Sequence, residues 1–230
     1  MTTTVAENLK VLRERIAQAA HRSGRGLDDI TLVAVTKQVP VERIREAVEQ
    51  GVTHLGENRV QEAREKVPQV TGVTWHMIGY LQTNKARPAL EMFQLIHSLD
   101  RPTLLEVLSA QARKLDQVVR VLVQVNTSGE ATKSGVDPHR AMELVVQAQA
   151  TPYVLVEGLM TIGPATGGPA AARPGFAALR RLAERLEAER LPGVSMRYLS
   201  MGMSADFEVA IAEGANLVRV GSAIFGPRPG

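Results

Sequence analysis

The chain has 230 residues, 44% of them hydrophobic and 22% charged, with a formal net charge of +3 and no cysteine, a composition expected of one soluble globular domain with a sizeable core. The lack of cysteine excludes disulfides, thiolate nucleophiles and thiolate metal sites; no run is long and apolar enough for a membrane span, and the N-terminus lacks a signal-peptide core, so a cytoplasmic location is expected. The pI near 9.4 does not mark a basic face: bases and acids are interleaved, as in Arg180-Arg181-Leu182-Ala183-Glu184-Arg185, and aromatics make up 3%, so nucleic-acid binding is not expected.

Thr4, followed three residues on by Glu7, forms a capping-box pattern. Val5, Leu9, Leu12, Ile16 and Ala20 then recur at helical spacing, which predicts an amphipathic helix closed by Ser23-Gly24-Arg25-Gly26. Strand-like stretches follow at 31–36, 53–55, 74–78, 94–98, 118–125, 153–160, 195–199 and 216–220. Helical patterns lie between them, as at 41–49, 102–115, 138–148 and 177–189, and the Ala/Pro/Gly-rich run 163–175 reads as a loop after the sixth strand. Strands alternating with helices at about 27 residues per unit predict a parallel sheet closed on itself: a (β/α)8 TIM barrel with an extra N-terminal helix, as a single domain over residues 1–230. A doubly wound open sheet is the alternative, but no Gly-x-Gly-x-x-Gly follows the first strand.

In Leu32-Val33-Ala34-Val35-Thr36-Lys37 the period of two places Lys37 on the face of Val33 and Val35. A lysine ending an inward row has a packed stem and a partly solvated amine, the setting for a nucleophile able to form a Schiff base; a lysine that merely marks where the strand meets water is the plainer reading. At the other end of the chain, Ser200-Met201-Gly202-Met203-Ser204 and Arg219-Val220-Gly221-Ser222 follow the last two strands, where barrels of this class hold phosphate groups. Gly221 lets backbone amides approach an anion and Ser222 adds a hydroxyl donor. If the barrel closes, amine and anion site share one mouth. Glu57-Asn58 after the second strand, and Gln82 and Asn84 after the third, lie near that mouth. His54, His76 and His97 on three consecutive strands pose a rival chemistry, since at one level of the barrel they would suit a metal-dependent hydrolase. No two of them have close ligand spacing on one element, so satisfied core histidines, and no metal, are expected.

The segments Ala34-Val35-Thr36-Lys37, Gly56-Glu57-Asn58, Trp75-His76-Met77-Ile78-Gly79, Lys133-Ser134-Gly135, Gly158-Leu159-Met160-Thr161, Ser200-Met201-Gly202-Met203-Ser204 and Arg219-Val220-Gly221-Ser222-Ala223 resemble, in this order and nearly end to end, the family of pyridoxal 5'-phosphate homeostasis proteins, single-domain relatives of the alanine racemase barrel domain. The resemblance implies an alanine racemase N-terminal-domain-like barrel and pyridoxal 5'-phosphate (PLP) as cofactor. Lys37 would hold the aldehyde as an internal aldimine, Ser200, Gly221 and Ser222 the phosphate, with Arg219 at the pyridine nitrogen and Asn58 near the phenolic oxygen. Parity agrees: with Arg219 inward, Leu217 and Gly221 are inward too, and Val218 and Val220 face the helices. A guanidinium at the ring nitrogen makes the ring a poorer electron sink than a carboxylate would, although racemases of this lineage also use arginine there. The closing segment Phe225-Gly226-Pro227-Arg228-Pro229-Gly230 leaves no second domain to supply the opposing tyrosine base of the racemases, and Tyr80, Tyr153 and Tyr198 have no argued place in that role. The expectation is a non-catalytic protein that carries PLP as a Schiff base in vitamin B6 homeostasis. PLP-dependent apo-enzymes would be recipients, with no nucleic-acid or membrane partner and a monomer or weak dimer as the assembly. A PLP-dependent amino-acid racemase is the alternative.

Overall fold

The computed structural model describes residues 4–130 and 132–227; Arg228, Pro229 and Gly230 of the closing segment lie outside them. The strands β1 (Thr31–Val35), β2 (His54–Glu57), β3 (Thr74–Met77), β4 (Leu95–Leu99), β5 (Val119–Gln124), β6 (Val154–Met160), β7 (Val194–Ser200) and β8 (Leu217–Val220) form a closed parallel barrel in chain order. The helices are α1 (Val5–Arg22), α2 (Val41–Glu49), α3 (Val60–Lys66), α4 (Ala86–Met92), α5 (Pro102–Lys114), α6 (Ala141–Gln149), α7 (Gly168–Ala188), α8 (Phe207–Ala212) and α9 (Ser222–Phe225). None of them is long and apolar enough to cross a membrane among the described residues.

Alternation along each strand separates two cores. Outward side chains such as Ala34, Leu55, Trp75, Ile96, Val121, Leu159, Val218 and Val220 merge with the helices into one apolar layer. Inward ones form a smaller plug of Val33, Leu95, Leu122, Met160 and Leu217. Each large buried side chain contributes roughly 1.5–3 kcal/mol, so the outer layer carries most of the stability and the interior has room for polar groups. His76, His97, Ser200 and Arg219 are all buried there.

The N-terminal helix begins as the capping box requires, with Glu7 N–H donating to Thr4 Oγ1 at 3.2 Å and Thr4 N–H to Glu7 Oε2 at 2.9 Å. It buries Val5, Leu9, Leu12, Ile16, Ala19 and Ala20 and packs on α8 and α9. Asn8 Nδ2 donates to the Ile224 carbonyl at 2.9 Å. Helix α1 therefore braces the part of the chain that follows β7 and β8.

One expectation is corrected, and one rival arrangement is ruled out. The run 163–175 is not all loop, because α7 starts at Gly168, with Gly167 at φ 87° ahead of it and a proline in the first turn, where no N–H is required. Pro174 lies inside the helix at a cost, offset by burial of Ala172, Phe176 and Leu179. Nor do the three histidines share one level. His54 pairs with Thr74 and His76 with Leu95, so each successive histidine stands one inward step higher, and the row climbs diagonally toward the carboxyl ends of the strands. Among the described residues no group of three His, Asp or Glu side chains is arranged to hold a metal ion.

Candidate functional site

Lys37 stands two residues beyond β1 in the inward row of Val33 and Val35. It is half-buried and lines a cavity of about 310 Å³ at the carboxyl end of the barrel. The turn that aims it is held from behind. Gln38 has φ 59°, a left-handed conformation that costs a residue with a side chain about 1–3 kcal/mol, and its N–H donates to Glu62 Oε2 on α3 at 2.9 Å. On the other side of Lys37, Thr36 donates through Oγ1 to Glu57 Oε1 at 2.9 Å, and its carbonyl accepts from Lys66 Nζ at 2.8 Å. Lys66 Nζ also donates to Glu57 Oε1 at 2.6 Å and to Glu62 Oε2 at 3.1 Å. Glu57 Oε2 in turn accepts the Asn58 N–H at 2.9 Å. One buried ammonium between two carboxylates thus clamps the backbone around Lys37 and at Asn58. For Glu62, burial would raise the carboxyl pKa, but the Gln38 N–H and Lys66 outweigh it and hold the group below its ordinary value.

Arg219 comes from β8, which closes the barrel against β1 with Arg219 in register with Val33. Its Nη1 donates to Ser200 Oγ and its Nη2 to the Thr161 carbonyl at 2.8 Å. Burial pushes the guanidinium down to about 10, against the opposing pull of Asp206, and it stays charged at neutral pH. Beyond it, Ser204 Oγ accepts from the N–H groups of Gly221 at 3.3 Å and Ala223 at 3.4 Å. The loop presenting Ser204 depends on Gly202, at φ 94°, where a Cβ would come within 2.6 Å of Ala210 Cβ and 2.9 Å of Phe207 Cα. Asp206 Oδ1 accepts the Met203 N–H at 2.6 Å and fixes the same loop.

Lys37, Asn58, Arg219, Gly221 and Ser222, drawn from opposite ends of the chain, line this one cavity. Ser200 does not. It is fully buried, in register with Leu217, and therefore sits one inward step below Arg219, with its Oγ occupied by Arg219 and His97. The stagger of strands in a closed barrel sets the end of β7 deeper than the end of β8, so Ser200 supports the guanidinium from beneath and Ser204 reaches the corner expected of it. Sequence reasoning placed Ser204 in the right segment without selecting it, and missed Glu62 and Lys66 entirely. Apolar Val35, Ile78, Ile162 and Met203 complete the walls. An adjoining lobe of about 610 Å³ shares Lys37 and Asn58 and adds Arg59, Tyr80, Gln82 and Lys85. Tyr198 packs instead on the inner plug, and Tyr153 lines a separate cavity beside Glu106 and Arg113.

An amine, a guanidinium and hydroxyls gathered at the carboxyl end of an eight-stranded barrel define an alanine racemase-like barrel, and the alanine racemase N-terminal domain family matches residues 6–229. The chain is 45% identical over 224 residues to the pyridoxal phosphate homeostasis protein of Aquifex aeolicus, covering 96% of this chain and 97% of that protein. It is 38% identical over 229 residues to the protein of the same description in Escherichia coli K12, covering 97% of each. The structure of PipY from Synechococcus elongatus PCC7942 with PLP bound matches with a TM-score of 0.84 at 37% identity, covering 97% of this chain and 100% of that one. The chain belongs to the pyridoxal phosphate homeostasis protein family.

Proposed function

We propose that this protein binds PLP in the 310 Å³ cavity and acts in PLP homeostasis as a carrier. The observation that carries the reading is the opposition of one primary amine, Lys37, to a corner of hydroxyls and backbone amides at Ser204, Gly221, Ser222 and Ala223 across that cavity. The donor set fits the cofactor: an amine for an aldehyde, hydroxyl and N–H donors for a phosphate, and flanking apolar side chains for a flat ring. The volume lies near the lower end of the range of about 300–1,000 Å³ common for small-molecule sites.

When bound, the cofactor supplies a reactive aldehyde and an electron-withdrawing ring. Lys37 Nζ would hold the aldehyde covalently and reversibly, Ser222 and the Gly221 amide would hold the phosphate together with Ser204, and Arg219 and Asn58 would bind the ring nitrogen and the phenolic oxygen. Ser200 acts through Arg219. As a pure donor, Arg219 leaves the ring nitrogen without a proton and restrains carbanion chemistry, in keeping with a non-catalytic role. The carrier is a single-domain, cytoplasmic protein, monomeric or weakly dimeric, that delivers the aldehyde to PLP-dependent apo-enzymes.

Titration of the purified protein with PLP and with pyridoxal tests the two-ended site. Two lost charge-assisted contacts at roughly 1.5 kcal/mol each predict on the order of hundredfold weaker binding of pyridoxal. Equal affinities would remove the phosphate corner from the account.

A further inference from the structure

We propose that His54, His76, His97 and Ser200 form a directional hydrogen-bond relay that positions Arg219, running through the barrel interior from its amino end to the floor of the mouth. His54 Nδ1 lies 2.9 Å from His76 Nε2, His76 Nδ1 lies 2.9 Å from His97 Nε2, and His97 Nδ1 lies 3.0 Å from Ser200 Oγ, which accepts from Arg219 Nη1. The far end of the row, His54, is half-buried and lines a separate cavity of about 340 Å³ with Arg13, Asp28, Thr31 and Thr53 at the amino ends of β1 and β2.

Arg219 sets the direction. A guanidinium only donates, so Ser200 Oγ accepts there, and the one partner left for the hydroxyl hydrogen is His97 Nδ1. His97 then carries its proton on Nε2 and donates to His76 Nδ1, His76 donates through Nε2 to His54 Nδ1, and His54 Nε2–H is left facing the amino-end cavity. The opposite direction would strand the Ser200 hydrogen in the buried interior, which is costly. With that direction fixed, a second proton on any ring would sit on Nδ1 and meet the hydrogen of its donor, the next ring or Ser200 Oγ, so all three rings are neutral together. Burial, with His54 and Arg120 as further causes, brings His76 down to about 3, and burial with His76 and Arg219 holds His97 well below its ordinary value. Around the row stand Arg120 of β5, ion-paired with Glu157 of β6 at 2.7 Å, Tyr198 of β7, and Asp206 opposite Arg219.

The relay gives Ser200 a fixed lone pair to offer, so Arg219 is anchored at both Nη atoms by different acceptors. Its bearing on the ligand rests on the PLP reading above; the relay itself does not. Nitrogen-15 NMR of the ligand-free wild-type protein tests it, with exposed His21 and His139 as reference signals. His54, His76 and His97 should each show a single neutral Nε2–H tautomer from pH 8 to 6, and the two Nη groups of Arg219 should give separate signals. An Nδ1–H tautomer or an imidazolium at any of the three, or merged Nη signals, overturns the proposal. In Arg219→Met the polarity is released and all three rings, His54 included, should show mixed tautomers, whereas Arg219→Lys should retain the single pattern; an unchanged His54 in Arg219→Met also overturns it. If the tautomers hold and PLP fails to bind the wild type, the reading of the mouth falls while the relay stands.

Discussion

Replacing Lys66 with methionine removes the ammonium and keeps most of the stem. Glu57, whose side chain is fully buried, would keep its bonds from Thr36 and Asn58 but lose its charge partner, and leaving a buried charge unpaired costs about 3–5 kcal/mol. For a domain of this size, with a melting shift of about 2–4 °C per kcal/mol, the expected fall in Tm is roughly 6–20 °C. Urea unfolding followed by circular dichroism would measure the loss directly. The double variant Glu57→Gln with Lys66→Met removes both charges and should recover more than half of the loss. A cost below about 1 kcal/mol for Lys66→Met, or a double variant as unstable as the single, would refute the clamp.

Acid sensitivity follows from the histidine row. With His76 at about 3 and His97 also well depressed, the unfolded chain binds protons that the folded one refuses once pH falls below about 6.5, so stability declines with acidity. Two rings together predict a loss of about 2.5 kcal/mol between pH 7 and 5.5, measurable as a shift in urea midpoint; a flat profile over that interval would contradict neutral burial. Purified protein loaded with PLP and given alanine in heavy water should exchange the alpha proton no faster than free PLP does, checked by proton NMR, and a rate well above that background would favour a racemase.

The barrel was legible because each strand announces itself by alternation and all eight fall within two residues of their predicted limits. Lys37 and Arg219 were legible for the same reason, since parity along a single strand decides which side chains point inward. What parity cannot supply is the stagger between strands. Ser200 and Ser204 lie four positions apart in one segment, and only the pairing of Ser200 with Leu217 shows which of them reaches the mouth. The same stagger turns three histidines that looked level into a climbing row. For Lys66 the only signal is its i,i+4 spacing from Glu62 on α3, common on exposed helix faces; its pairing with Glu57, on a strand, has none. Helices α8 and α9 are under two turns long, too short for a periodic pattern, and the first turns of α7, ahead of the helical pattern at 177–189, were hidden by glycines and prolines that its buried face overrides.

The central claim, that one amine of this chain receives the cofactor, is tested most directly by reducing the PLP-loaded protein with borohydride and mapping the modified peptide by mass spectrometry. A single pyridoxyl modification is expected on Lys37, absent together with the visible absorption band in Lys37→Ala, which should still retain PLP weakly through the phosphate corner. A modification on Lys85, Lys133 or another lysine, or an adduct that survives Lys37→Ala, would contradict it.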